Sequence, residues 1–217
     1  MTTVLYNGYY VNIDYGALTE AQRQHNALRL AQNLYNIGWT ENAIAGLLGN
    51  AGPESTMNPG CVENTSDHPR PAEWVDLPSN SDILNSSYTG GCGVVQWTPA
   101  TTKIVQFAVD TGRVWYDGMT QIFRFKYEAE NGIQMTVSQW NWYINNDTDT
   151  PEDMAEYFLR QYERPSPQQI IDSLENRRRA GLRWYNYIHG KLFKRLFYLY
   201  DSKNKQRKVL KPKWQRV

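Results

Sequence analysis

Across residues 19–57, and again from residue 98 to 189, apolar positions return every three to four residues, the spacing of one helix face. Thr19 with Gln22 reads as a capping box, and Ala27, Leu30, Ala31 and Leu34 carry the stripe to a stop at Gly38. Thr40 is placed to cap a second helix with Ala43, Ile44, Leu47 and Leu48 as its buried stripe. That helix is expected to end near Gly49 to Pro53, because glycine favours termini and proline lacks an amide proton. Glu54 then falls just past a buried helix, fixed in place and partly enclosed.

Residues 1–17 are Gly- and Tyr-rich and read as irregular or weakly extended, and residues 58–93 hold proline, glycine and small polar residues without a helical period. So long a loop in a compact domain carries function or floats. Helical spacing resumes with Ile104, Phe107 and Ala108, then an aromatic stripe of Trp115, Ile122, Phe123, Phe125 and Tyr127. A short helix with two Trp follows over residues 137–144. Thr150–Pro151 and Ser166–Pro167 start two more, the last with Ile170, Ile171, Leu174, Leu182 and Trp184 as core positions. The pattern predicts a mainly α architecture, a helical body interrupted by one loop-rich lobe, with no internal repeat or strand–helix alternation.

Composition changes this picture in three places. The 8 Trp and 15 Tyr exceed what packing asks for, and such rings suit a groove for a hydroxyl-rich polymer as well as helix contacts. Of 23 Lys/Arg and 22 Asp/Glu, ten basic groups and one acid, Asp201, fall in residues 190–217, leaving 13 basic against 21 acidic groups before them. An acidic body at 1–189 therefore joins a basic tail at 190–217. There Leu192, Phe193, Leu196, Phe197 and Tyr200 form an apolar face suited to a partner, an anionic surface or the chain's own domain. Cys61 and Cys92 suit either one bridge, worth roughly 3–4 kcal/mol on a chain-entropy estimate, or two free thiols. With three scattered His they give no zinc spacing, and no metal or other cofactor is expected. No run of 18 apolar residues marks a membrane span, and residues 1–15 lack the basic start of a signal peptide.

Cutting a glycosidic bond requires a carboxylic acid still protonated near neutral pH, and Glu54 meets the positional requirement. A second carboxylate, to position water or attack, is sought in the loop: Glu63, Asp67, Glu73, Asp76 and Asp82 are available. The segment from Gly90 to Thr98 packs three Gly beside Gln96 and Trp97, which suits a cleft floor offering Gly93 backbone, a Gln96 amide and a Trp97 ring to a sugar. The plainer reading is a glycine turn leading into a buried Val-Val-x-Trp segment.

Ala43 to Pro59, with Gly52-Pro53-Glu54-Ser55 at its centre, and Gly91-Cys92-Gly93-Val94-Val95-Gln96-Trp97-Thr98 together resemble the bacteriophage tail lysozyme family. That family belongs with goose-type lysozymes and lytic transglycosylases in a wider superfamily. Phe158-Leu159-Arg160-Gln161-Tyr162-Glu163-Arg164-Pro165, then Arg178, Ala180 and Trp184, resemble its closing helices, so the likeness spans residues 40–188. It implies an α+β lysozyme-like fold with a cleft between a helical and a loop-rich lobe, and peptidoglycan as substrate. It implies Glu54 as general acid, with Ser55, Gly93, Gln96 and Trp97 lining the groove. It transfers no second carboxylate, leaving Glu63, Asp67 and Asp76 open.

The leading expectation is a muramidase hydrolysing the β-1,4 link between N-acetylmuramic acid and N-acetylglucosamine, carried in a virion on a phage tail and acting on the host wall. A lytic transglycosylase giving 1,6-anhydro ends is the alternative enzyme. A non-catalytic virion structural or glycan-binding protein is the alternative class. Tail proteins or anionic wall polymers are expected partners of the basic end. A nucleic-acid partner is disfavoured by the acidic body and the lack of a recognised module.

Overall fold

The computed structural model describes residues 2–192 and, as backbone only, the antiparallel strands Tyr198–Asp201 and Gln206–Val209. Residues 193–197, most of the expected apolar face of the tail, lie outside the described residues, and Tyr200 sits in the first of those strands.

The chain opens with a hairpin, β1 (Val4–Tyr6) and β2 (Tyr9–Val11), turned through Asn7 and Gly8 and paired Tyr6 to Tyr9. Helix α1 (Glu20–Asn36) carries the expected capping box and buries Ala27, Leu30, Ala31 and Leu34. Its Asn26 amide clasps β2 to the far end of the next helix, donating to Tyr10 O at 2.7 Å and to Met57 O at 2.9 Å.

Helix α2 (Glu41–Ser55), capped by Thr40, is the axis of the body and is buried on all sides from Ala43 to Ala51. It runs through Pro53, which corrects the expected stop. The missing proline N–H removes a single bond, that to Gly49 O, in the last turn, and Thr56 still closes the end on Gly52 O at 2.8 Å. Glu54 thus sits inside the final turn of the helix rather than beyond it.

The loop lobe holds a short helix, α3 (Asn80–Leu84), that the polar composition concealed, and two isolated bridges, Val62 to Cys92 and Cys92 to Trp97. Helices α4 (Ile104–Asp110), α5 (Gly118–Asn131) and α6 (Val137–Asn145) follow, then α7 (Pro151–Phe158) and α8 (Pro167–Ile188), the last two opened by proline. Among the described residues no helix is long and apolar enough to cross a membrane.

α7 and α8 pack directly on α2 at backbone contact. A Cβ on Gly49 would stand 2.8 Å from Gly181 N, and one on Gly181 would stand 2.7 Å from Pro151 O. Small residues therefore make the seam, and α8 buries Arg177, Ala180, Gly181, Trp184 and Ile188. Ile171 and Leu182, expected in the core, are exposed because the seam belongs to a neighbouring face of α8. Tyr127 is exposed as well.

The aromatic surplus is core. Of the seven Trp among the described residues, Trp39, Trp74, Trp97, Trp115, Trp140 and Trp184 are buried and only Trp142 is exposed. Trp39, Phe125, Trp140, Tyr143, Phe158 and Tyr162 form one chain of tilted and edge-on contacts that ends in the stacked pair Phe158–Tyr162.

Candidate active site

A cavity of about 700 Å³ lies between the helical body and the loop lobe. Glu54, Leu159, Tyr162, Glu163, Gln169 and Arg177 face it from the helices. Residues 61–65 and 95–98 face it from the lobe, with Asp14, Tyr15, Lys103 and Gln134 at its margins. Of the residues singled out from sequence, Glu54, Glu63, Gln96 and Trp97 meet here.

Glu54 keeps 25% of its side-chain surface and is ion-paired: its Oε1 accepts from Arg177 Nη2 at 2.6 Å. Arg177 is itself held, donating from Nη1 to Asn50 O at 3.0 Å and to Asn50 Oδ1 at 3.2 Å. The Asn50 amide bonds Gly46 O and Ala155 O, so the pair rests on a fixed polar strut between α2 and α7. Ser55 does not reach the groove. Its Oγ is buried and donates to Ala51 O and Val94 O, tying α2 to the lobe.

Glu63 is the one loop acid of the expected set in the cavity, and both its oxygens are engaged. Oε2 accepts the Gly91 N–H at 2.9 Å and Oε1 accepts the Thr65 hydroxyl at 3.1 Å. Asp67 and Asp76 are exposed and line no part of the cavity, and the same holds for Glu73 and for Asp82, which caps α3. Asp14, which the sequence reading passed over, does line it and pairs with Arg70 at 2.9 Å.

The glycine segment forms the floor by bracing. Gly93 takes φ +88°, where any side chain is strained, with the Gln121 side chain 3.0 Å from where a Cβ would stand, and its N–H bonds Cys61 O at 2.9 Å. The Gln96 side-chain nitrogen is spent on Gly93 O at 2.7 Å. Trp97 is buried and donates from Nε1 to Glu128 Oε1 at 3.0 Å, so it supports the floor rather than offering a stacking face. Glu128 also accepts from Arg124 Nε at 2.8 Å and from the Tyr162 hydroxyl at 2.8 Å. One fully buried carboxylate thereby joins the lobe, α5 and the end of α7. Cys61 and Cys92 are free and buried, and burial pushes the Cys61 thiol up to about 12.

Glu163, like Asp14 and Arg177, is a cavity residue that the sequence does not point to. After Phe158 the helix widens to a π-helical turn over Leu159–Glu163, closed by Arg164 N–H on Leu159 O at 2.9 Å, and Arg164 takes φ +52°. The turn carries Glu163 to the cavity beside Arg177, with its Oε1 sealed from solvent and without a hydrogen-bond partner. Burial, then the charge of Glu54, hold its carboxyl well above the ordinary 4.5, against the smaller pull of Arg177. The available signal was its spacing, four residues after buried Leu159 and next to buried Tyr162.

A carboxyl with a higher pKa folded than unfolded contributes its full stability below the unfolded value and loses it as pH rises toward the folded one. Glu163→Gln is therefore expected to melt above wild type at about pH 7–8. The margin should vanish near the ordinary value of 4.5 and widen with pH until Glu163 ionises in the folded protein. Thermal melts at several pH values check this, and a margin independent of pH would contradict it.

A helical body, a loop-rich lobe and an acid-lined cleft between them define a lysozyme-like protein. The chain belongs to the phage tail lysozyme family, whose model matches residues 25–188. It is also 34% identical over 148 residues to Morphogenesis protein 1 of Bacillus phage B103, a match covering 65% of this chain and 34% of the relative. The chain thus spans about a third of the length of that relative.

Proposed function

We propose that the chain is a peptidoglycan glycoside hydrolase, cutting between N-acetylmuramic acid and N-acetylglucosamine, with Glu54 protonating the bridging oxygen. The observation that carries this reading is the position of Glu54. It is fixed in the last turn of a buried helix, with its carboxyl opening into the interlobe cleft. Membership of a family of tail lysozymes, and likeness to a phage morphogenesis protein, support a place on the phage tail and the host wall as target.

Two observations favour other readings. Glu63 already spends both oxygens on Gly91 and Thr65, which favours a route needing one groove carboxyl. In a lytic transglycosylase the 6-hydroxyl of the muramyl unit closes on its own anomeric carbon and leaves a 1,6-anhydro end. The Glu54–Arg177 ion pair favours a protein that binds glycan without cutting it. Mass spectrometry of purified peptidoglycan digested by the full chain separates all three. Reducing muramyl ends are expected; anhydro ends would select the transglycosylase, and intact strands the binding role.

A further inference from the structure

Among the described residues, six buried side-chain polar atoms lack a hydrogen-bond partner, and two of them belong to residues of the cleft: Arg177 Nε and Glu163 Oε1. One is a donor and the other an acceptor. Both flank Glu54, which takes the Nη2 end of the same guanidinium at 2.6 Å. A buried donor left unpaired is costly, and so is a buried acceptor. A second arrangement, with the guanidinium turned toward Glu163, would satisfy both.

Charge requires the same pairing. Arg177 is one positive group serving two carboxyls, and with both ionised the site would hold one negative charge, partly cut off from water, without a partner. The other charged neighbours do not supply it. Lys103 lines the cavity with its own positive form disfavoured by burial, and Arg124 is committed to Glu128 at 2.8 Å. Glu128 adds negative charge on the side of α5.

We propose that Glu163 is the second carboxyl of the site and shares one proton with Glu54, Arg177 pairing with whichever of the two is ionised. In the resting arrangement the proton is on Glu163, and Glu54 is the carboxylate of the ion pair. When a glycan fills the cleft, the proton passes to the Glu54 carboxylate, and the guanidinium, still held at Nη1 by Asn50, turns its free Nε toward the Glu163 carboxylate left behind. Net charge and proton count stay constant, and Glu54 becomes the acid that the bridging oxygen needs. Glu163 is thus a positioning residue, since it acts through Glu54. The proposal rests on Glu54 being the acid of the reaction proposed above.

The test is the pH profile of kcat/KM for muropeptide release by full-length wild type, Glu163→Gln, Glu163→Asp and Glu54→Gln. In Glu163→Gln the new amide fills the same space but has no proton to give, so activity near neutral pH should fall about 10²-fold. It should recover as pH is lowered and solvent supplies the proton, and Glu163→Asp should restore the neutral limb in part. Infrared difference spectra at neutral pH should show a protonated carboxylic acid band in wild type that Glu163→Gln removes. An unchanged profile in Glu163→Gln, a loss with no recovery at low pH, or no such band would overturn the proposal. Activity surviving in Glu54→Gln would instead overturn the reading on which it rests.

Discussion

Glu54→Gln is expected to reduce muropeptide release by about 10²–10⁴-fold while leaving the fold intact. The amide oxygen can still accept from Arg177 Nη2, which stands 2.6 Å from Oε1 in the native chain, so the strut through Asn50 keeps its partner. What the variant loses is the transferable proton. Whole cell walls are heterogeneous substrates that blur such a loss, so a defined glycan and a far-UV check of folding belong in the same measurement. Rates within about twofold of wild type would remove Glu54 from the chemistry, because an amide cannot serve as general acid.

The largest effect on stability is expected at Glu128, which has no solvent exposure and serves three donors. Glu128→Leu strands the Arg124 guanidinium, whose side chain is only 8% exposed, and orphans the Trp97 indole and the Tyr162 hydroxyl. Breaking a buried pair from one side costs about 3–5 kcal/mol, which lowers Tm by roughly 6–20 °C in a chain of this size. Urea or thermal unfolding measures it. Adding Arg124→Met should recover part of the loss by removing the unpaired charge, but not all, since Trp97 and Tyr162 still lack an acceptor. A cost below about 1 kcal/mol would mean that water reaches this cluster and replaces the carboxylate.

Local chemistry was legible in the chain. Thr19 with Gln22, Thr136 with Gln139 and Ser166 with Gln169 form reciprocal caps whose partners lie three residues apart, and the first was read directly. Glu54 is legible because it adjoins a marked change of pattern, whereas Glu63 stands in the sequence only as one of five acids of the loop. The errors arise where a distant partner decides. Pro53 stays helical because its lost bond falls in the last turn, and Ile171 faces solvent because a glycine seam, rather than the bulkiest apolar face, meets α2. Asp67 and Asp76 carry the same chemistry as Glu63, and only the path of the lobe separates them from the cleft. Asp14, Glu163 and Arg177 lie far from Glu54 in sequence. No spacing rule brings an arginine 123 residues away onto a carboxylate.

The wide turn over Leu159–Glu163 holds one residue more than an α-helical turn would. Removing Arg160 or Gln161, neither of which lines the cavity, would let the helix continue regularly and rotate Glu163 by about 100° about the axis. The buried carboxyl would then leave the cleft although no side chain near it had changed. Among homologous chains the length of this segment, more than the identity of its members, would divide those that keep two acids facing the cleft from those that keep one. A single-codon deletion is enough to cross that divide.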